Sequence, residues 1–193
     1  MEGEIKDQIL KIAHGLMVNR GYSAFSYADI AETVKIRKAS IHYHFPTKVD
    51  LVVAVLKAHR ERLIAGTEAL DQQVASPLAR LQAYVQHWEG CIRDKTEPFC
   101  IAALLAAELP SLPKKVQSEV QRHFDSLGNW IQRTLEEGVT KKVIKLQHSP
   151  EDEAQMLMAL VHGAMLSARA YGSCDVFQTV TSAALLRISV IKR

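Results

Sequence analysis

The sequence predicts an all-α protein, and three observations lead there. Apolar residues recur at steps of three and four, as in Ile5, Ile9, Ile12 and Leu16, which puts them on one helical face. Helix-opening signatures recur along the chain: Ser26-x-x-Asp29, Thr47-x-x-Asp50, Ser76-Pro77 and Ser149-Pro150-x-Asp152. Only KKVIKL, Lys141 to Leu146, reads as a strand, and it has no evident partner.

Taken in order, the first helix ends at Gly21, a residue free to take the left-handed conformation. A short helix follows from Tyr27 to about Val34, capped by Ser26 and Asp29. A second short one spans about Arg37 to His44, stopped by Pro46. Thr47 and Asp50 open a long helix that presents Leu51, Val52, Val55, Leu56, His59 and Leu63 on one side. Ser76-Pro77 starts a fifth, with Leu78, Leu81, Val85 and Trp88 inward, and Pro98 opens FCIAALLAAEL. Pro113 begins a helix closed by Gly138, Ser149-Pro150 begins one that reaches Gly172, and the last runs from Val176 to about Val190. That makes about nine.

Two of these helices, MLMALVHGAMLSARA (Met156–Ala170) and TVTSAALLRISV (Thr179–Val190), are apolar or small almost all round. A helix of that kind needs cover on every side. At the end of a short chain the simplest cover is a second copy. Gly163, Ala164 and Ala168 would permit close approach in a four-helix homodimer interface.

Composition narrows the function. With 48% hydrophobic and 23% charged residues, the 193-residue chain can bury a core and is not disordered. It has no apolar run of membrane-spanning length and no basic, apolar leader, and its three cysteines do not form a disulfide framework. A cytoplasmic protein is expected. Up to Arg62 there are ten Lys/Arg against seven Asp/Glu; beyond it the two classes are equal, at fourteen each. The whole net charge of +3 therefore falls in the first third, as in a polyanion-binding module attached to a neutral body. No GxSxG, HExxH, CxxC, Walker loop or GxGxxG is present, so no enzyme, cofactor or metal site is expected. His87 and Cys91, four apart, lack further ligands.

Three helices in 45 residues, the last two short, outline a helix-turn-helix, whose second member enters the DNA major groove. The stretch GYSAFSYADIAETVKIRKASIHYHFPTKVDL, Gly21 to Leu51, resembles the DNA-binding domain of the TetR family of transcriptional regulators. Gly21, Ser26, Ile30-Ala31, Phe45-Pro46-Thr47-Lys48 and Leu51 carry the resemblance. It implies a helix-turn-helix domain at 1–46 and an effector-binding and dimerisation domain at 47–193, linked by the helix at about 47–70. Arg37, Lys38, Ser40 and Tyr43 are then expected at base edges, and Ser26, Tyr27, His42, His44 and Lys48 at phosphates.

The chain departs from the family pattern twice. Lys35 stands where Gly is frequent in the turn, so the turn needs either a non-glycine residue at positive φ or another geometry. His42 stands where Tyr is frequent, which would make that contact pH-sensitive.

By the same resemblance the body binds a small effector, with Trp88, Phe99, Cys100, Phe124, Trp130, His162, Met165 and Arg169 as candidates. Pro98 to Phe124 looks like the NemR-like, electrophile-responsive branch of the family, in which a cysteine at the place of Cys100 is the sensor. Arg169 is the basic residue of the penultimate helix. The function expected is a repressor released from a palindromic operator by a small-molecule or electrophile effector. The alternative is a cytoplasmic helical ligand-binding or thiol-sensing protein without specific DNA binding.

Overall fold

The computed structural model describes residues 2–190. The outer ends of the expected domains, residue 1 and residues 191–193, lie outside the described residues. Among the described residues there are nine α-helices, joined by short turns and one 3-10 turn at Leu109–Ser111. They are α1 (Glu2–Arg20), α2 (Tyr27–Val34), α3 (Lys38–His44), α4 (Lys48–Gln73), α5 (Pro77–Arg93), α6 (Ile101–Ala107), α7 (Lys114–Thr140), α8 (Pro150–Tyr171) and α9 (Cys174–Ile188). Two compact units emerge. One runs to Glu61 and takes up Ile101–His123; the other is Arg62–Cys100 with the chain from Phe124 onward. The chain passes between them three times, within α4, between Cys100 and Ile101 at the start of α6, and within α7.

In the first unit α1 packs on α2 and α6, and α2 on α3. Ile9, Ala13 and Met17 of α1 are fully buried, as are Ile30, Ile41, Leu51 and Val52. Each of these side chains larger than alanine contributes about 2 kcal/mol by leaving water, and Ala13 less. The chain leaves α1 through Gly21 at φ 77, in the left-handed region that favours glycine, and a Cβ there would also lie 3.2 Å from the Glu108 carboxylate carbon. The next amide, Tyr22 N–H, donates to both Glu108 carboxylate oxygens, at 3.3 and 3.2 Å.

In the second unit α8 and α9 pack along each other, and α5 lies against both. Leu81, Leu127, Ile131, Leu135, Val161 and Phe177 form its buried centre. The almost fully buried Glu153 of α8 forms a two-pronged ion pair with Arg187 of α9, the Nη1–Oε1 contact being 3.1 Å. That pair holds the Glu153 carboxyl below its ordinary range.

Three expectations are corrected. Pro98 does not open a helix: α6 begins at Ile101. Phe99, Cys100, Ile101 and Ala102 are all buried, and four successive helical residues cannot all face one side. An irregular stretch lets Phe99 and Cys100 turn inward as well. Gly138 does not end its helix; α7 runs on to Thr140, and the left-handed residue is Lys142 at φ 57. A Cβ at Gly138 would lie 2.7 Å from Ile144 Cγ1 and 3.0 Å from Ile144 Cβ, so glycine is there for close approach. KKVIKL does find a partner: Ile144 bridges Ser189, with Lys145 N–H donating to Ile188 O and Val190 N–H to Val143 O.

Candidate nucleic-acid interface and effector region

The Ser26 hydroxyl accepts from Ala28 N–H, and the Asp29 carboxylate accepts from Ser26 N–H at 2.7 Å, the capping box expected of α2. Those Ser26 bonds, then Arg20 at 3.2 Å, hold the Asp29 carboxyl below its ordinary range. The turn out of α2 uses Lys35 itself in the left-handed conformation, φ 59 and ψ 43. It is the first of the two geometries the sequence left open.

Helix α3 spends one side chain on the core. Ile41 is fully buried, and Phe45, the C-cap, is 4% exposed. Arg37, Lys38, Ala39, His42 and Tyr43 are exposed, Ser40 and His44 half-buried, and the Tyr43 phenol is 74% in solvent. A helix with this one-sided anchorage presents a row of donors with Ala39 keeping its outer face slim.

The expected phosphate-binding residues are held by the fold. Tyr27 O–H donates to Phe45 O at 2.7 Å, and its ring lies 4.7 Å from that of His42. Burial, then the Asp50 charge, pushes the phenol up to about 12, so it stays a neutral donor at physiological pH. His42 Nδ1 is 3.3 Å from Pro46 O; a carbonyl only accepts, so Nδ1 carries the proton in this contact. Lys48 Nζ donates to Phe25 O at 2.6 Å, lying over the Phe25 and Tyr22 rings at 4.2 and 4.9 Å. Burial lowers its pKa. Two of its three N–H donors remain beyond that bond. Thr47 and Asp50 form their capping box, with the hydroxyl donating to Asp50 Oδ2 at 2.6 Å. Ser26 keeps its hydroxyl within its own cap.

The candidate effector residues all belong to the second unit. Trp88, Phe99, Cys100 and Met165 are buried, with Cys100 and Met165 wholly so. Phe124 and His162 are half-buried and meet edge-on at 5.2 Å. Arg169 is exposed, its guanidinium 5.6 Å from the Phe99 ring centre. Trp130 is buried and donates to Asp71 Oδ1 at 3.1 Å, its ring 5.7 Å from Tyr84. Burial raises the Cys91 and Cys174 thiols above their ordinary range, and Cys91 Sγ lies 3.7 Å from His87 Nε2.

An open depression of about 630 Å³ lies elsewhere, lined by Met156, Ala159, Leu160, Gly163, Ala164, Ser167, Val180 and Arg187. At 100° per residue its α8 positions fall on the side of the helix opposite His162, Met165 and Arg169. Sequence reading missed Glu108 and the Glu153–Arg187 pair, since a carboxylate's partner many residues away leaves no periodic signal.

Residues 9–55 match the family model for bacterial regulatory proteins, tetR family, and residues 77–184 match the tetracyclin repressor-like C-terminal domain. The chain belongs to the tetR family. It is a DNA-binding transcriptional regulator, and its family is one of regulators rather than enzymes. A TetR-family regulator from Agrobacterium tumefaciens has a solved structure 45% identical to this chain, covering 98% of it and 100% of that protein, with a TM-score of 0.96. The transcriptional repressor NemR of Escherichia coli K12 is 25% identical over 174 residues, 87% of this chain and 85% of NemR. That likeness supports the NemR-like reading of the body. The repressor DhaR of Mycobacterium sp. strain GP1 is 26% identical over 188 residues, 94% of this chain and 92% of DhaR. TetR regulators bind DNA, form dimers and typically respond to small molecules. No helix among the described residues is long and apolar enough to cross a membrane.

Proposed function

We propose that this TetR-family regulator is a cytoplasmic homodimeric repressor that reads a palindromic operator with α3 and is released by a small effector. The observation that carries the reading is the one-sidedness of α3: Ile41 is buried while Arg37, Lys38, His42 and Tyr43 stay in solvent. A B-DNA major groove is about 12 Å wide and takes one such helix. Arg37, Lys38, Ser40 and Tyr43 contact bases in this reading. His42, His44, Lys48 and the start of α2 at Tyr27 hold phosphates and set register, while Ser26, both of whose donors go to Asp29, serves by capping that helix end. His42, its Nδ1 turned to Pro46 O, offers a phosphate an N–H at Nε2 only when protonated.

Reading is assigned to residues 1–46 and effector binding with dimerisation to residues 47–193, α4 being the link. The exposed stripe Ala159, Leu160, Gly163 and Leu166 on α8, with Leu186 on α9, is the surface a second copy would cover. Trp88, Phe99, Phe124 and Met165 supply an apolar, largely aromatic wall for the effector, with His162 and Arg169 as its polar groups. With Cys100 at 0% exposure, an electrophile reaches the thiol only after the side chains that cover it move, so reversible binding is the favoured route of release. An effector preferring the state that misfits the operator shifts the population by its differential affinity alone.

A salt-titrated gel shift over the DNA flanking the protein's own gene tests this. The expected result is one twofold-symmetric site, affinity falling steeply with salt. Lys38→Ala should weaken it about 10- to 100-fold with the melting temperature unchanged. Equal weak binding to every sequence, indifferent to Lys38→Ala, would favour the ligand-binding alternative.

A further inference from the structure

Three histidines far apart in sequence come together inside the unit that carries the reader. His14 of α1, His59 of α4 and His123 of α7 form a row, with ring centres 5.8 Å apart for His14–His59 and 4.9 Å for His59–His123. The second pair is stacked at 25°. His59 and His123 are 6% and 2% exposed, and His14 is half-buried at the rim. A ring nitrogen of His59 lies within 4.8 Å of one of His123, and His59 offers one equally close to His14.

We propose that this row is a binding site for a borderline divalent d-block cation of the zinc class. His59 and His123 are the primary ligands and His14 is the third, recruited at the rim. Neutral imidazole is the ligand that suits zinc, nickel and copper, and hard cations such as magnesium prefer oxygen. Zinc–nitrogen bonds of about 2.0–2.1 Å in tetrahedral array put two ligand nitrogens about 3.3 Å apart. Ring rotation about the side-chain torsions closes that gap for His59–His123 and for His59–His14, each pair already under 4.8 Å, and His14 must swing in from the rim to meet His123 at the same ion. Half-exposed His14 marks the entry path. Bound metal would tie α1, α4 and α7 together within one unit, a bond that hydrophobic packing alone does not supply.

Sequence reading missed the row because its members sit on three helices and show no ligand spacing. His87 and Cys91, which do have helical spacing and lie 3.7 Å apart, are the competing site, so the test must separate the two.

Metal-free full-length protein is titrated with Zn²⁺ and with Co²⁺ as a spectroscopic probe, with Mg²⁺ as the control. One Zn²⁺ per chain should bind and raise the melting temperature, and Mg²⁺ should do neither. His59→Gln and His123→Gln should each weaken Zn²⁺ by about 100-fold and His14→Gln by about tenfold, while Cys91→Ser leaves it unchanged. Should either buried variant fail to fold, rim variant His14→Gln, checked by circular dichroism, decides alone through its tenfold loss. Failure of the native chain to bind Zn²⁺ overturns the proposal. So does binding that survives His14→Gln undiminished but is lost in Cys91→Ser. None of these readouts involves DNA, so their failure leaves the operator-reading proposal standing.

Discussion

Helix α3 and the α8–α9 pair each leave exposed what the fold of one chain does not need, and they leave opposite things. The seven residues of α3 bury Ile41 and set nitrogen and oxygen donors outward. The α8–α9 pair buries Leu157, Val161, Met165 and Phe177 on one side and still shows Leu160, Leu166 and Leu186 at 38%, 60% and 62% exposure on the other. Scattered exposed leucines are ordinary, but a stripe at helical spacing beside small residues is a surface awaiting apolar cover. Exposed donors want a polyanion and exposed leucines want a copy of themselves. The residue types left in solvent thus distinguish the two surfaces more sharply than the helices that bear them.

The most severe way to break that contrast is to make the second surface resemble the first. Leu166→Glu combined with Leu186→Glu should leave each chain folded, since both side chains are largely in solvent already. In a twofold interface each substitution is present twice, and buried like charges face each other. Mass by light scattering should halve, and operator affinity should fall at least about 100-fold because two half-sites no longer act together. Unchanged mass would place the dimer interface elsewhere.

Beneath that surface Glu153 and Arg187 join the two helices, and a milder test falls on them. Glu153→Gln should destabilise the chain by about 2 kcal/mol, below the roughly 3–5 kcal/mol of a fully buried broken pair because Arg187 keeps about a third of its side chain in solvent. The pH dependence has a definite sign. The folded-state pKa of Glu153 is depressed, first by the Arg187 hydrogen bonds. Its contribution is therefore complete above the unfolded carboxylate value of about 4.3, and it is lost as pH falls through the lower folded value. Denaturant melts of both proteins should differ by a constant amount near neutrality and converge in acid. A gap that widens on acidification would contradict the pairing.

These regions also differ in how much of them the sequence disclosed. Helix starts were legible wherever a hydroxyl and a carboxylate stood three apart, because the cap is a local bond: Ser26 with Asp29 and Thr47 with Asp50 both form it. The exposed row on α3 followed from its short length and the positions of Ile41 and Phe45. Local signals failed where burial decided the backbone. Pro98 looked like a helix start, yet Phe99 and Cys100 turn into the core before α6 begins. Gly138 looked like a helix end, yet it serves Ile144. Long-range partners were illegible: Glu108 beneath Tyr22, Glu153 against Arg187, and the His14–His59–His123 row depend on packing that no spacing encodes.

The finest test returns to the reader and its turn. Lys35 occupies the left-handed region, where a Cβ costs roughly 1–2 kcal/mol, yet its side chain is exposed and has no packing role to offset that. Lys35→Gly should remove the strain, less what glycine adds to the entropy of the unfolded chain, for a net gain of about 0.5 kcal/mol by thermal melt. Operator affinity separates two reasons for keeping a strained lysine. If Lys35 only closes the turn, affinity should hold or rise slightly. If its ammonium reaches a phosphate, affinity should drop a few-fold while the melting temperature still rises, and the salt slope should become shallower by about one ion. A rise in stability with a loss in binding would make Lys35 part of the donor row, extending that row from α3 back into the turn that positions it.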